Sequence, residues 1–122
     1  MAEYELHVPL REEEILRLKV KDAVYVTGEV LTVRDMAYER ILNALDSHKD
    51  LPFSLNNKAI WHAGPITKQE GEKWKAVSVG STTSSRFSGP ASRLIETMGV
   101  KMIIGKGFMG PQVLEAFKKC GA

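Results

Sequence analysis

The chain is predicted to be a single α/β domain of layered type, and three observations carry that prediction. Short apolar or β-branched runs recur at residues 24–33, 59–66, 74–79 and 100–104. Between and after them, apolar residues fall at helical spacing, as in Ala37, Ile41, Leu42 and Leu45. A length of 122 residues suits one core rather than two, so residues 1–122 are read as one domain. Strands alternating with helices argue a layered α/β architecture.

Taken in order, Tyr4-Glu5-Leu6-His7-Val8-Pro9-Leu10 alternates as an edge strand that Pro9 ends, with His7 facing solvent. Residues 11–18 start on Glu12-Glu13-Glu14 and continue with Ile15, Leu16 and Leu18. That pattern suits a short helix with acids in its first turn. Residues 24–33 form a strand in which Gly28 suggests a bulge. The strand runs directly into a helix over 34–45, which puts Arg34 at the junction, a common place for ligand contacts in α/β domains. The plainer reading of Arg34, and the one preferred from the residues alone, is a surface arginine paired with Asp35 or a neighbouring acid.

Residues 46–57 read as a loop with Leu51-Pro52-Phe53 as an apolar plug, and the next strand breaks at Gly64-Pro65. His62 ends that strand, where a lone histidine is usually a satisfied structural residue. A polar turn over 68–73 and a strand over 74–79 make a hairpin. A helix over 92–98 stops at Gly99, a short buried strand follows at 100–104, and the last helix spans 110–119. That helix has Pro111 in its first turn and Lys118-Lys119 in its last.

Two loops carry the chemistry. In Val79-Gly80-Ser81-Thr82-Thr83-Ser84-Ser85-Arg86, five hydroxyl residues follow an apolar run and an arginine closes the stretch. This reads as a strand-to-helix junction with a hydroxyl N-cap, whose free backbone N–H groups suit an anion. Arg86 adds a planar fork able to hold a carboxylate through two hydrogen bonds. A capped helix with its extra hydroxyls in water is the plainer alternative, and these eight residues alone favour it. The second loop is Gly105-Lys106-Gly107-Phe108-Met109-Gly110, where a lysine sits between glycines that would let a ligand approach the backbone.

Composition sets limits. An apolar fraction of 43% and a charged fraction of 26% are ordinary for a soluble globular protein. A net charge of +2, with no basic run, gives no argument for nucleic acid. No apolar stretch approaches a membrane span, and the acidic start Met1-Ala2-Glu3-Tyr4-Glu5 is no secretory signal, so the cytoplasm is expected. Cys120 is the one cysteine; it cannot form an internal disulfide and is read as incidental on a fraying terminus. One thiolate cannot hold an iron–sulfur cluster, so no cofactor is expected on this chain.

Five motifs stand in a fixed order: Arg34-Asp35-Met36-Ala37, Leu51-Pro52-Phe53, His62-Ala63-Gly64-Pro65, the run from Gly80 through Arg86, and the loop from Gly105 through Gly110. Together they resemble the β subunit, or C-terminal domain, of iron–sulfur class I fumarases and L(+)-tartrate dehydratases, over roughly residues 20–122. The resemblance implies a β/β/α swivelling-type domain. Family members usually continue past this point with another strand and a C-terminal segment, so it also implies a domain short at its C-terminus. The activity implied is reversible hydration of fumarate to (S)-malate, with L(+)-tartrate dehydration as the near alternative. A [4Fe–4S] cluster is expected on a partner α subunit, with the site at the interface and a dimer of heterodimers as one assembly.

The site roles implied by the resemblance place Thr82 as the catalytic base. Arg86, read as four residues along the same helix face, becomes a carboxylate clamp, with Lys106 and Arg34 as further contacts to a C4 dicarboxylate. Thr83 is a substrate contact and the alternative base, and His62 is a candidate because its motif lies near the family's substrate cavity. Outside this family, a non-catalytic anion- or nucleotide-binding module and an assembly protein that kept the fold stay open. The second glycine loop is not a Walker motif.

Overall fold

A computed structural model describes residues 2–122, so Met1 of the acidic start lies outside the described residues. In chain order, strand β1 (Glu3–His7) is followed by helix α1 (Glu12–Leu16), then strands β2 (Ala23–Thr27) and β3 (Val30–Thr32). Helix α2 (Asp35–Asp46) leads to β4 (Ala59–Trp61), β5 (Ile66–Glu70) and β6 (Lys73–Ser78). A 3₁₀ turn (Ser85–Phe87) opens helix α3 (Ser88–Met98), and β7 (Met102–Ile104) and α4 (Pro111–Cys120) complete the order.

The strands form three small sheets: β1-β2, parallel; β3-β4-β7, all parallel; and the antiparallel hairpin β5-β6. The result is a mixed α/β domain. Alternation along β3, β4 and β7 divides their side chains between two apolar clusters. Leu31, Ile60 and Ile103 face a helical cluster that includes Tyr38 and Ile41 of α2, Ala91, Leu94 and Ile95 of α3, and Val113 and Ala116 of α4. Val30, Ala59, Met102 and Ile104 face Leu6, Leu10 and Val24, with Ile15 and Leu18 alongside. The central parallel sheet is thus covered on both faces, as parallel sheets require.

Three expectations change. Residues 24–33 are not one bulged strand. β2 and β3 belong to different sheets, and the chain turns between them at Gly28, whose φ of 120° is open to glycine alone. A Cβ there would also meet the Val8 carbonyl oxygen at 3.0 Å. Helix α3 starts at Ser88, earlier than expected, because Pro90 sits in its first turn, where no N–H is needed. Cys120 does not sit on a frayed end: it is half-buried on α4 against the helical cluster, and its carbonyl accepts a hydrogen bond from Lys101 Nζ at 2.5 Å.

The Gly99 stop holds: Gly99 adopts the left-handed conformation after α3, and Gly121, not expected as a stop, does the same after α4. Among the described residues, no helix is long and apolar enough to cross a membrane.

Candidate functional site

Because β3, β4 and β7 are parallel, their carboxyl ends share one edge, where open α/β sheets present ligand-binding loops. Arg34 follows β3, His62 follows β4, and Gly105-Lys106 follow β7. The hydroxyl loop is laid across these ends. Ser81 forms an antiparallel bridge with Ala63, and Thr83 a parallel bridge with Lys106. Thr82 N–H donates to the His62 carbonyl at 2.7 Å, and Ser84 N–H to the Lys106 carbonyl at 3.0 Å.

This corrects three expectations about the loop. No hydroxyl caps the helix start, and the Thr82 and Ser84 N–H groups serve neighbouring backbone rather than an anion. The hydroxyls of Ser81 and Ser84 turn inward, Ser81 Oγ accepting from Trp61 Nε1 at 2.7 Å and Ser84 Oγ lying 2.8 Å from His62 Nδ1. Thr82 and Arg86 do not share a helix face either: Thr82 lies in the bridged segment, and Arg86 in the 3₁₀ turn.

The cations are arranged around this loop. Arg86 Nε and Nη2 donate to the two Asp35 oxygens, each at 3.1 Å, and the guanidinium lies 4.5 Å from the Phe87 ring centroid. The Arg86 hydrogen bond holds the Asp35 carboxyl below the usual aspartate range. The acid beside Arg34 is therefore engaged by a different arginine. The exposed Arg34 side chain lies over Gly64, where any Cβ would collide with the guanidinium. A cleft of about 370 Å³ is lined by Thr32, Arg34, Asp35, Met36, Ala37, Ala63 and Pro65. Thr83 and Lys106 are exposed and Thr82 is half-buried.

His62 lies behind this surface, fully buried. Its Nε2 is 2.6 Å from the Tyr38 hydroxyl and its Nδ1 faces Ser84, while Phe87 packs on the ring at 4.9 Å between centroids. Gly105 makes room for this arrangement: a Cβ there would land on Ser84 Oγ and 3.2 Å from His62 Nδ1. The glycine admits these side chains rather than leaving its backbone open to a ligand.

Burial, and secondarily the charge of Arg86, lowers the His62 pKa to about 4. The unfolded chain then binds a proton that the folded chain refuses, so acid destabilises the fold between pH 6.5 and about 4. Urea unfolding should be level in stability above pH 6.5 and lose roughly 3 kcal/mol across that window. In His62→Gln the loss over the same window should shrink; an unchanged slope would assign it to other groups.

Sequence reasoning missed Tyr38, the inward role of Ser84, and Asp35 as the surface partner of Arg86. Tyr38 has the helical spacing of a core position, but nothing local marks its hydroxyl as the partner of a histidine 24 residues away. Among the described residues, no group of three or more His, Cys, Asp or Glu side chains could hold a metal ion.

Fold and site together define a class: an α/β domain presenting hydroxyl and cationic loops at the carboxyl edge of a parallel sheet. The family model described as Fumarase C-terminus matches residues 1–122, and the chain belongs to that family. It is 41% identical to the L(+)-tartrate dehydratase subunit beta of Escherichia coli (strain K12) over 114 residues, covering 93% of this chain and 55% of that protein. A Geobacillus stearothermophilus protein with the provisional name fumarate hydratase class I is 34% identical over 117 residues, 95% of this chain and 22% of that protein. The chain spans about half the length of the tartrate dehydratase β subunits that it matches.

Proposed function

We propose that this chain is the β subunit of a hydro-lyase acting on a C4 hydroxy diacid, at an interface with a cluster-bearing α subunit. Fumarate/(S)-malate is the first substrate pair; L(+)-tartrate is the second reading, favoured by the name of the 41% identical relative. The observation that carries the proposal is the gathering of Arg34, the hydroxyl loop and Lys106 at one sheet edge. The packing of β1-β2 and the helices on opposite faces of the central sheet supports the β/β/α swivelling arrangement. A cytoplasmic location goes with this reading.

Dehydration of such a substrate needs two carboxylates held, a proton removed beside one of them, and a hydroxyl expelled from the next carbon. Thr82 is the base. A threonine hydroxyl is weakly basic in water, so its alkoxide needs dense positive charge and exclusion of solvent. Arg86, Lys106 and Arg34 supply the charge, and a docked partner supplies the exclusion. Arg86 spends its Nε/Nη2 edge on Asp35, which leaves the terminal Nη1/Nη2 edge for a substrate carboxylate. Thr83 offers a further contact from its bridge to Lys106. Polarisation of the departing hydroxyl is assigned to the partner's [4Fe–4S] cluster, and no residue of this chain is asked to supply it.

The test is anaerobic reconstitution of the chain with a cluster-bearing α subunit, following product from malate and from L(+)-tartrate separately. Turnover that needs both chains supports the interface and names the substrate. A complex with an intact cluster and no turnover on either diacid would overturn the reading. Arg86→Lys should lower kcat/KM roughly 100-fold, because an ammonium cannot hold Asp35 and a carboxylate on two edges. A fully active variant would argue against a clamp there.

A further inference from the structure

We propose that His62 is a positioning residue for the hydroxyl loop, with the proton of its neutral ring on Nδ1. Hydrogen bonds then run from Tyr38 through His62 to Ser84, and the Ser84 hydroxyl hydrogen is the spare donor on the loop side. The catalytic consequence rests on the hydro-lyase reading; the hydrogen-bond direction does not.

The argument is a count of hydrogens. A neutral imidazole has one N–H, and each hydroxyl brings one hydrogen. Three hydrogens share two contacts, Tyr38 Oη to Nε2 at 2.6 Å and Ser84 Oγ to Nδ1 at 2.8 Å. One hydroxyl hydrogen is therefore left over, and the relative donor strength of the two hydroxyls decides which. Tyr38 is 2% exposed within the helical apolar cluster, its ring 5.2 Å from that of Phe87. Its hydroxyl meets no partner but His62 among the described residues. A hydrogen stranded there would be a buried unsatisfied donor. Ser84 is as buried, at 3% exposed, with its N–H on the Lys106 carbonyl and its hydroxyl against Gly105, so burial does not separate the two. The phenol is the stronger donor of the two hydroxyls and makes the shorter contact, so Tyr38 donates to Nε2 and Nδ1–H donates to Ser84 Oγ.

This direction has a mechanical result. Ser84 is held at two points, by His62 and by the Lys106 loop, two residues after Thr82. The loop carrying the base is thus locked to the loop carrying a substrate cation by a ring buried behind both.

Two measurements test it. Nitrogen-15 spectra of the histidine-labelled chain should show His62 protonated at Nδ1 with a hydrogen-bonded, unprotonated Nε2. A ring protonated at Nε2 overturns the proposal, whatever the chain catalyses. In the reconstituted enzyme, Tyr38→Phe and Ser84→Ala should each lower kcat roughly 10- to 100-fold with KM within about 2-fold. The double variant should be no worse than Ser84→Ala, since both act through one ring. Losses that multiply would overturn the relay through His62. If the unaltered complex turns over neither malate nor tartrate, the hydro-lyase reading fails, and the spectra still decide the hydrogen-bond direction.

Discussion

Replacing Thr82 with alanine in the reconstituted enzyme is expected to lower kcat by roughly 10²- to 10⁴-fold, the range a positioned general base contributes, while KM stays within a few-fold. The geometry makes this a clean experiment. Thr82 is fixed through its backbone, its N–H donating to the His62 carbonyl at 2.7 Å, and alanine keeps that bond. Its half-buried hydroxyl has no hydrogen bond within the chain among the described residues, so removal orphans no buried partner. Loss of turnover would then report chemistry and not unfolding. Thr83→Ala is the matched control, one residue along on an exposed position bridged to Lys106. If Thr82→Ala turns over near normally and Thr83→Ala does not, the base is Thr83.

Which parts were legible in the chain follows from the range of the forces involved. The helices, the β5-β6 hairpin and the Gly99 stop depend on neighbours a few residues away, so periodicity and turn residues expose them. Gly28 was legible as a special position but not as a sheet boundary. A bulge and a break share one local signature, and only the separate partners of β2 and β3 tell them apart. The same limit governs the site. Arg86 and Lys106 stood out by type and spacing, but the Arg86–Asp35 pair spans 51 residues and the His62–Ser84 contact spans 22. No local pattern announces either. A run of five hydroxyls looks like a cap or an anion cradle. That some of them point inward depends on Trp61 and His62 arriving beside them from β4. The family resemblance supplied roles for Thr82, Arg86, Lys106 and Arg34, and the fold supplies what holds them.

Gly105→Ala should be strongly destabilising, and its cost comes from contact, not backbone strain. The added Cβ would land on Ser84 Oγ and press on His62 Nδ1 at 3.2 Å. Neither withdraws without cost: Ser84 Oγ can rotate away only by giving up His62, and His62 is enclosed by Tyr38 and Phe87. Forcing them apart loses a buried hydrogen bond and overpacks the cluster, each worth about 1–3 kcal/mol. A combined loss of roughly 2–5 kcal/mol is therefore expected in urea unfolding, with kcat falling as the two loops separate. Gly80→Ala is the control, in the other loop of the same edge. A Cβ at Gly80 meets nothing within 4 Å, so that variant should stay within about 0.5 kcal/mol of the parent. Equal stability of the two variants would mean that Gly105 is not packed on the histidine network. A severe Gly105→Ala beside a silent Gly80→Ala would show that the Lys106 loop is held to the Thr82 loop by close packing, and that only glycine at 105 permits it.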